Sequence, residues 1–255
     1  MNFKMKALVA AAAVAMAGVA HADIVDFNEA GGGSLLLSIW NANDSVSALF
    51  DLGPATDSFN GNLSQSWDLT SGAYASTWAQ IAPSLSGATF MVFAGDITGT
   101  NYQDHKFFST VASGSTALTN SQVKNMAEQQ IFVFNSEAAP TGNHGSVADG
   151  ANISDGVTNY QGSNFGNDWG GAVGFNATTA IGSSTDFYSF QGVAASGRTA
   201  GAAAADVMAF AGSFSQGADG MLSYTVAAVP EPETYAMLLA GLGLVGAIAR
   251  KRAAR

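Results

Sequence analysis

Hydrolysis by a serine nucleophile needs a neighbouring base, and this chain has only three histidines to offer one. His21 falls inside an N-terminal apolar leader, leaving His105 and His144. His105 lies between Asp104 and Lys106 at the start of a strand-like run, and His144 lies in Thr-Gly-Asn-His-Gly-Ser. No Gly-x-Ser-x-Gly turn precedes a helix, so the nucleophile lacks its usual setting, and both histidines read as exposed loop residues. Two histidines one helical turn apart, as a zinc site needs, do not occur, and the absence of cysteine removes thiol catalysis and zinc-thiolate chemistry. Paired carboxylates serve glycoside hydrolysis, but Glu29, Glu128 and Glu137 lie in no active-site motif.

Hard cations take oxygen ligands from flexible loops. Asp149, Asn152 and Asp155 stand at three-residue spacing in Asp-Gly-Ala-Asn-Ile-Ser-Asp, with Asn164, Asn167 and Asp168 beyond. Calcium is the ion that such a loop fits. The spacing matches neither the EF-hand nor the glycine-rich nonapeptide repeat, and turn-forming Asx residues explain it equally well; the expected cofactor set is therefore empty, with calcium as the alternative. Trp67, Tyr74, Trp78, Tyr160 and Trp169 would stack on sugar rings if exposed, although tryptophan on a strand more often belongs to a core.

The clearest chemistry is done to this chain rather than by it. Val229-Pro230-Glu231-Pro232 is stiff and extended, because each proline fixes φ and lacks a donor. An uncharged apolar run from Tyr235 to Ala249 follows, then Arg250, Lys251 and Arg252. A bilayer span takes roughly 20 apolar residues, with about 17 as the lower limit, so this run spans with Thr234 added and Arg250 reaching to the interface. The terminal cations place that end in the cytoplasm and the body outside. At the other end, Lys4 and Lys6 precede an apolar stretch from Ala7 to Val19, and Ala20-His21-Ala22 is a small-x-small cleavage site. The mature chain is expected to begin at Asp23.

Together these residues resemble the PEP-CTERM proteins of Gram-negative bacteria, through Val229-Pro230-Glu231-Pro232, the Gly-Leu-Gly-Leu-Val-Gly run and the Arg-Lys-Arg ending. The resemblance implies that an exosortase, a membrane-embedded cysteine transpeptidase, recognises Pro230, Glu231 and Pro232 as positions on a substrate. It further implies cleavage nearby, delivery to the envelope or extracellular matrix, and only a transient stay in the inner membrane. The partners expected are signal peptidase, the exosortase and exopolysaccharide. The organisation read from the sequence is a signal peptide at 1–22, an extracytoplasmic domain at 23–228 and a sorting signal at 229–255. Within the last, the motif is 229–233, the apolar helix 235–249 and the basic end 250–255.

The body must stand without disulfides. Of 19 acidic residues, Glu231 and Glu233 lie in the tail, which leaves seventeen against Lys106, Lys124 and Arg198. Neutralisation of nucleic acid phosphates by such a surface is excluded. Short apolar runs separated by Gly, Asn, Ser and Asp predict an all-β fold, a single antiparallel β-sandwich of jelly-roll kind with a short helix, flanked by signal-peptide and transmembrane helices. Strands are predicted at Ser34–Trp40 and Ser45–Leu52, joined by a hairpin, and at Thr89–Ile97 as a central strand. Others are Ile131–Phe134, Ala172–Ala177, Asp186–Gln191, and Asp206–Phe214 with Met221–Ala227. A helix is predicted over Gln122–Gln129, capped by Asn120 or Ser121, with another turn at Ser76–Ile81. Residues 135–171 read as a long loop.

The sequence thus points to a non-catalytic exported protein of the cell surface or exopolysaccharide matrix. The alternative is a secreted carbohydrate-binding module or hydrolase carrying the same tail.

Overall fold

The computed structural model describes residues 14–15, 31–138, 151–155, 161–164 and 166–227. The expected transmembrane helix, the signal cleavage residues Ala20, Ala22 and Asp23, the sorting residues Val229 to Pro232 and the basic residues Arg250, Lys251 and Arg252 lie outside them. No helix among the described residues is long and apolar enough to cross a membrane.

Thirteen strands and three α-helices are described. The strands are β1 Val14–Ala15, β2 Ser34–Asn41, β3 Val46–Ala55, β4 Gln65–Asp68, β5 Thr89–Asp96, β6 Lys106–Val111, β7 Ser113–Gly114, β8 Ala151–Asp155, β9 Phe175–Asn176, β10 Thr179–Ala180, β11 Ser184–Gln191, β12 Asp206–Gln216 and β13 Met221–Val226. The helices are α1 Ala75–Ile81, α2 Asn120–Ala138 and α3 Gln161–Asn164. The fold is mostly β and antiparallel, as expected, but it is not a sandwich of two sheets. Eleven strands share one sheet in the order β1-β4-β13-β12-β11-β6-β5-β2-β3-β8, with β10 paired to β5 and only the parallel β1–β4 pairing breaking the antiparallel pattern. Val14–Ala15 thus forms a short edge strand where a signal-peptide helix was expected.

One sheet suffices because it curls until it is nearly closed, so its inner face buries itself. Leu35, Leu37, Ile39, Phe50, Phe90, Val92, Phe108, Phe187, Phe214 and Tyr224 fill that interior. The alternate residues Leu36, Trp40, Leu49, Met91, Phe93, Phe107 and Phe190 point the other way and pack beneath α2 and Trp169. Side chains alternate between faces along a strand, so β2 and β5 are apolar on both sides because both faces are covered. The seam of the curl is held by Trp67 of β4. Its indole N–H donates to the Leu52 carbonyl oxygen of β3 at 2.9 Å, and its ring stacks on Phe214 with centroids 6.1 Å apart. Phe59 closes one mouth, with ring centroids 5.3–5.5 Å from Tyr224, Phe210 and Phe187.

Helix α2 is longer than predicted and runs through residues 131–134, where a strand was expected. The run Ile-Phe-Val-Phe has strand propensity, but it continues a helix anchored by buried Val123, Met126 and Ala127, and tertiary packing overrides local preference. The cap is Thr119 rather than Asn120 or Ser121. Its backbone N–H donates to Gln122 Oε1 at 2.9 Å, while the Gln122 backbone N–H donates to Thr119 Oγ1 at 3.4 Å, a reciprocal capping box. Asn120 instead ties the helix start to the 193–200 segment, accepting from the Val193 N–H and donating to the Val193 and Ala200 carbonyls. The expected strand at 172–177 is reduced to Phe175–Asn176, since Trp169 to Gly174 form turns. The predicted loop at 135–171 contains the C-terminal end of α2, all of β8 and α3.

Tyr74, half-buried beside α1, donates its hydroxyl hydrogen to the Asp51 carbonyl oxygen. Burial, and secondarily the Asp51 charge, pushes its pKa from 10.0 up to about 12. The folded state therefore holds the phenolic proton more tightly than the unfolded chain does. Its contribution to stability is complete below pH 10 and is lost as pH rises towards about 12. Thermal midpoints measured at about pH 9 and about pH 11 are expected to drop less for Tyr74→Phe than for the native chain, because phenylalanine cannot ionise. Equal drops would contradict this assignment. The exposed Asp68 works in the opposite direction. Hydrogen bonds from the Thr70 and Ser71 side chains and the Thr70 backbone N–H hold its pKa below 3.8, so its contribution is lost in acid as pH falls through the folded value.

Candidate functional site

Among the described residues, those that could have carried catalysis or sugar binding are not gathered in one place. His105 is a buried residue, 3% exposed, rather than the exposed loop histidine expected. Its Nε2 lies 3.2 Å from the Gly99 carbonyl oxygen, and the Tyr102 ring stands edge-on to the imidazole at 6.1 Å. Its backbone N–H donates to the Tyr102 carbonyl at 3.0 Å, which closes the turn, and its backbone carbonyl accepts from the Gly192 N–H at 2.9 Å, which ties the turn to the end of β11. His144, Tyr160 and Asp149 lie outside the described residues. Asn152 and Asp155 are members of β8, paired with Leu49 and Val46 of β3, and so stand in a regular strand rather than the loop that the calcium reading assumed.

Several of the described carboxylates are engaged as local hydrogen-bond acceptors. Asp51 accepts from the Gly53 N–H at 2.8 Å and the Ser34 hydroxyl at 3.3 Å. Asp96 accepts from the N–H and hydroxyl of Thr98 at 2.9 and 2.8 Å, and Asp168 from the Gly171 N–H at 3.0 Å. Asp96 and Asp168 stabilise the chain reversal two or three residues on, the ordinary work of Asx residues in turns, whereas Asp51 bonds within β3 and across to β2. Among the described residues no three His, Asp or Glu side chains cluster as a metal site would. The four tryptophans, Trp40, Trp67, Trp78 and Trp169, are all at least nine-tenths buried, so none forms an exposed stacking platform. Trp169 sits between Phe93 and Phe107, with centroids at 5.1 and 4.8 Å.

A concave feature among the described residues lies at the mouth closed by Phe59. An open groove of about 580 Å³ runs between the loop 57–62 and residues 208–211 of β12. The loop is pinned at its start by the ion pair of Asp57 with Lys106 at 2.9 Å and by the Thr56 N–H donating to the Gly33 carbonyl. It is pinned at its far end by Tyr224, whose buried hydroxyl donates to the Gly61 carbonyl at 2.8 Å and accepts from the Gly212 N–H at 2.9 Å. A Cβ at position 61 would lie 2.2 Å from a ring carbon of Phe210, so a side chain there displaces that ring. Sequence reasoning missed this groove. The Asn-Gly-Asn run at 60–62 reads as an ordinary turn, and its proximity to β12 depends on the closure of the sheet.

Next to this mouth β13 ends at Val226, and residues 228–253 match the family described as the PEP-CTERM protein-sorting motif. The chain ends in a PEP-CTERM sorting signal. No curated protein and no solved structure matches the chain. The PEP-CTERM motif implies an exosortase as processing partner, and secretion to the envelope or cell surface. The matched segment begins two residues beyond the last strand of the body.

Proposed function

We propose that this protein is exported with its body outside the inner membrane, held there briefly by residues 235–249, and cut by an exosortase near Pro230-Glu231-Pro232. The released body, starting at Asp23, acts without catalysis as a component of the cell surface or of an exopolysaccharide matrix. The observation that carries this reading is the PEP-CTERM match at residues 228–253. Two features of the body support a structural role over a hydrolytic or sugar-stacking one: its tryptophans belong to the core, and several of its described carboxylates are engaged in local hydrogen bonds. No cofactor is part of the proposal. The surplus of acidic residues keeps such a body soluble and self-repelling in a crowded exterior.

The test is to incubate the purified protein with exopolysaccharide extracted from its own host and to measure both retention and polymer length. Retention of the protein with unshortened polymer is expected. Shortening of the polymer would overturn the non-catalytic reading, and complete recovery of the protein as a free solute would overturn the matrix role.

A further inference from the structure

Between Lys6 and Arg250 the chain carries only three basic residues, Lys106, Lys124 and Arg198, and their settings differ. Lys106 opens β6 and is paired on both sides, with Asp96 of β5 and Gln191 of β11, and its ammonium meets Asp57 at 2.9 Å. Lys124 lies within α2 and pairs with Glu128 at 3.1 Å. Arg198 stands in no helix or strand. It belongs to the connection from β11 to β12, in which every residue of 194–199 is exposed. Gly197 has a φ of +79°, and a Cβ there would meet nothing within 4 Å, so the bend stands in open space. Among the described residues, the backbone hydrogen bonds of 194–199 are two turn contacts. The Ala200 N–H donates to the Gly197 carbonyl at 3.3 Å, and the Ala202 N–H to the Thr199 carbonyl at 2.9 Å.

Both ends of this exposed strap are clamped, and by the same side chain. Buried Asn120 accepts from the Val193 N–H and donates to the Val193 and Ala200 carbonyls, one on either side of the strap. Before the strap, the Gly192 N–H also donates to the His105 carbonyl at 2.9 Å. Beyond it, the Asn120 N–H donates to the Ala203 carbonyl and the Ala205 N–H to the Leu118 carbonyl, each at 2.9 Å. We propose that the Arg198–Thr199 bond is a site of limited proteolysis for endopeptidases whose specificity pocket holds a carboxylate, and that cutting it leaves a folded, two-chain body. Such a pocket selects a basic side chain on the carbonyl side of the scissile bond. Exposed loops of small and polar residues are where folded chains are nicked. In the cut, the oxygen of water joins the Arg198 carbonyl carbon and the bond to the Thr199 nitrogen breaks, leaving a carboxylate on Arg198 and an amine on Thr199. No strand is interrupted. β11 and β12 stay paired from Gln191↔Asp206 to Ser184↔Ser215, and Asn120 holds the chain close to both new ends.

This site is independent of the sorting motif, and trypsin, which has the required specificity, is the probe. The full-length protein is digested in native buffer at a low enzyme ratio, and the fragments are read by intact mass. Cuts at Lys4, Lys6 and the basic residues of 250–255 trim the two ends and are counted apart from internal cuts. The first internal cut is expected after Arg198, and the two resulting fragments are expected to co-elute on size exclusion and to separate only in denaturant. Arg198→Gln alters one exposed side chain and is expected to slow the first internal cut at least about tenfold, because Lys106 and Lys124 are reached only when a strand or a helix opens. A first internal cut at Lys106 or Lys124, no internal cut at all, or an unchanged rate in Arg198→Gln would overturn the site. Fragments that part in native buffer would overturn the two-chain body.

Discussion

Replacing Pro230, Glu231 and Pro232 together by alanine is expected to stop processing and hold the full-length chain in the inner membrane. Two φ-fixing residues and the single charge between them are removed, so the segment loses both its preset extended shape and the group an enzyme would recognise. Raising an activation barrier by about 1.4 kcal/mol slows a step about tenfold, and the simultaneous removal of three recognition positions predicts a fall in released protein well beyond about tenfold. Membrane and culture fractions compared by immunoblot provide the measurement. The body's own fold is unaffected in this expectation, because the substitutions lie beyond Val226, the last residue of β13. Equal release of the substituted and native chains would contradict recognition of the motif.

The second large effect is expected at the seam of the sheet. Trp67→Ala removes a fully packed indole that stacks on Phe214 and bonds the Leu52 carbonyl, joining β4 to the opposite side of the curl. Truncation of a buried tryptophan costs about 3–5 kcal/mol, against a total stability of about 5–15 kcal/mol for a domain. No disulfide limits the unfolded state, so the cost falls directly on the folding equilibrium. Trp67→Phe keeps most of the packing and loses the N–H donor, a loss of about 1–3 kcal/mol for the carbonyl left unpaired. Urea midpoints should therefore fall in the order native, Trp67→Phe, Trp67→Ala. A Trp67→Ala protein with an unchanged midpoint would show that the seam carries no stability.

The parts of the fold legible in the sequence are those fixed by neighbours in the chain. The hairpin of β2 and β3 and the pairing of β12 with β13 each join adjacent strands across a short turn rich in Asn, Asp or Gly, and their apolar patterns are complete within the segment. The central place of β5 follows from its being apolar on both faces. What is not legible depends on closure. β4 is only Gln65–Asp68, too short to show a pattern, yet through Trp67 it decides that the sheet curls rather than splits into two layers. His105 looks exposed because it is polar and flanked by charges, and it is buried because the 99–105 turn folds over it. The helix through residues 131–134 shows the converse error. A β-branched and aromatic run taken by itself reads as strand, although the reciprocal cap at Thr119 and Gln122 stands upstream and launches a helix towards it. The sorting motif at 228–253, in contrast, is legible, because it is read from the order and chemistry of its residues rather than from folding.

The intact mass of the protein recovered from outside cells of its native host tests sorting and release most directly. The mass expected is that of a chain beginning at Asp23 and ending within residues 229–234, near Pro232. A chain that still carries residues 235–255 and occurs only in membranes would make this an ordinary anchored protein and contradict its release by an exosortase.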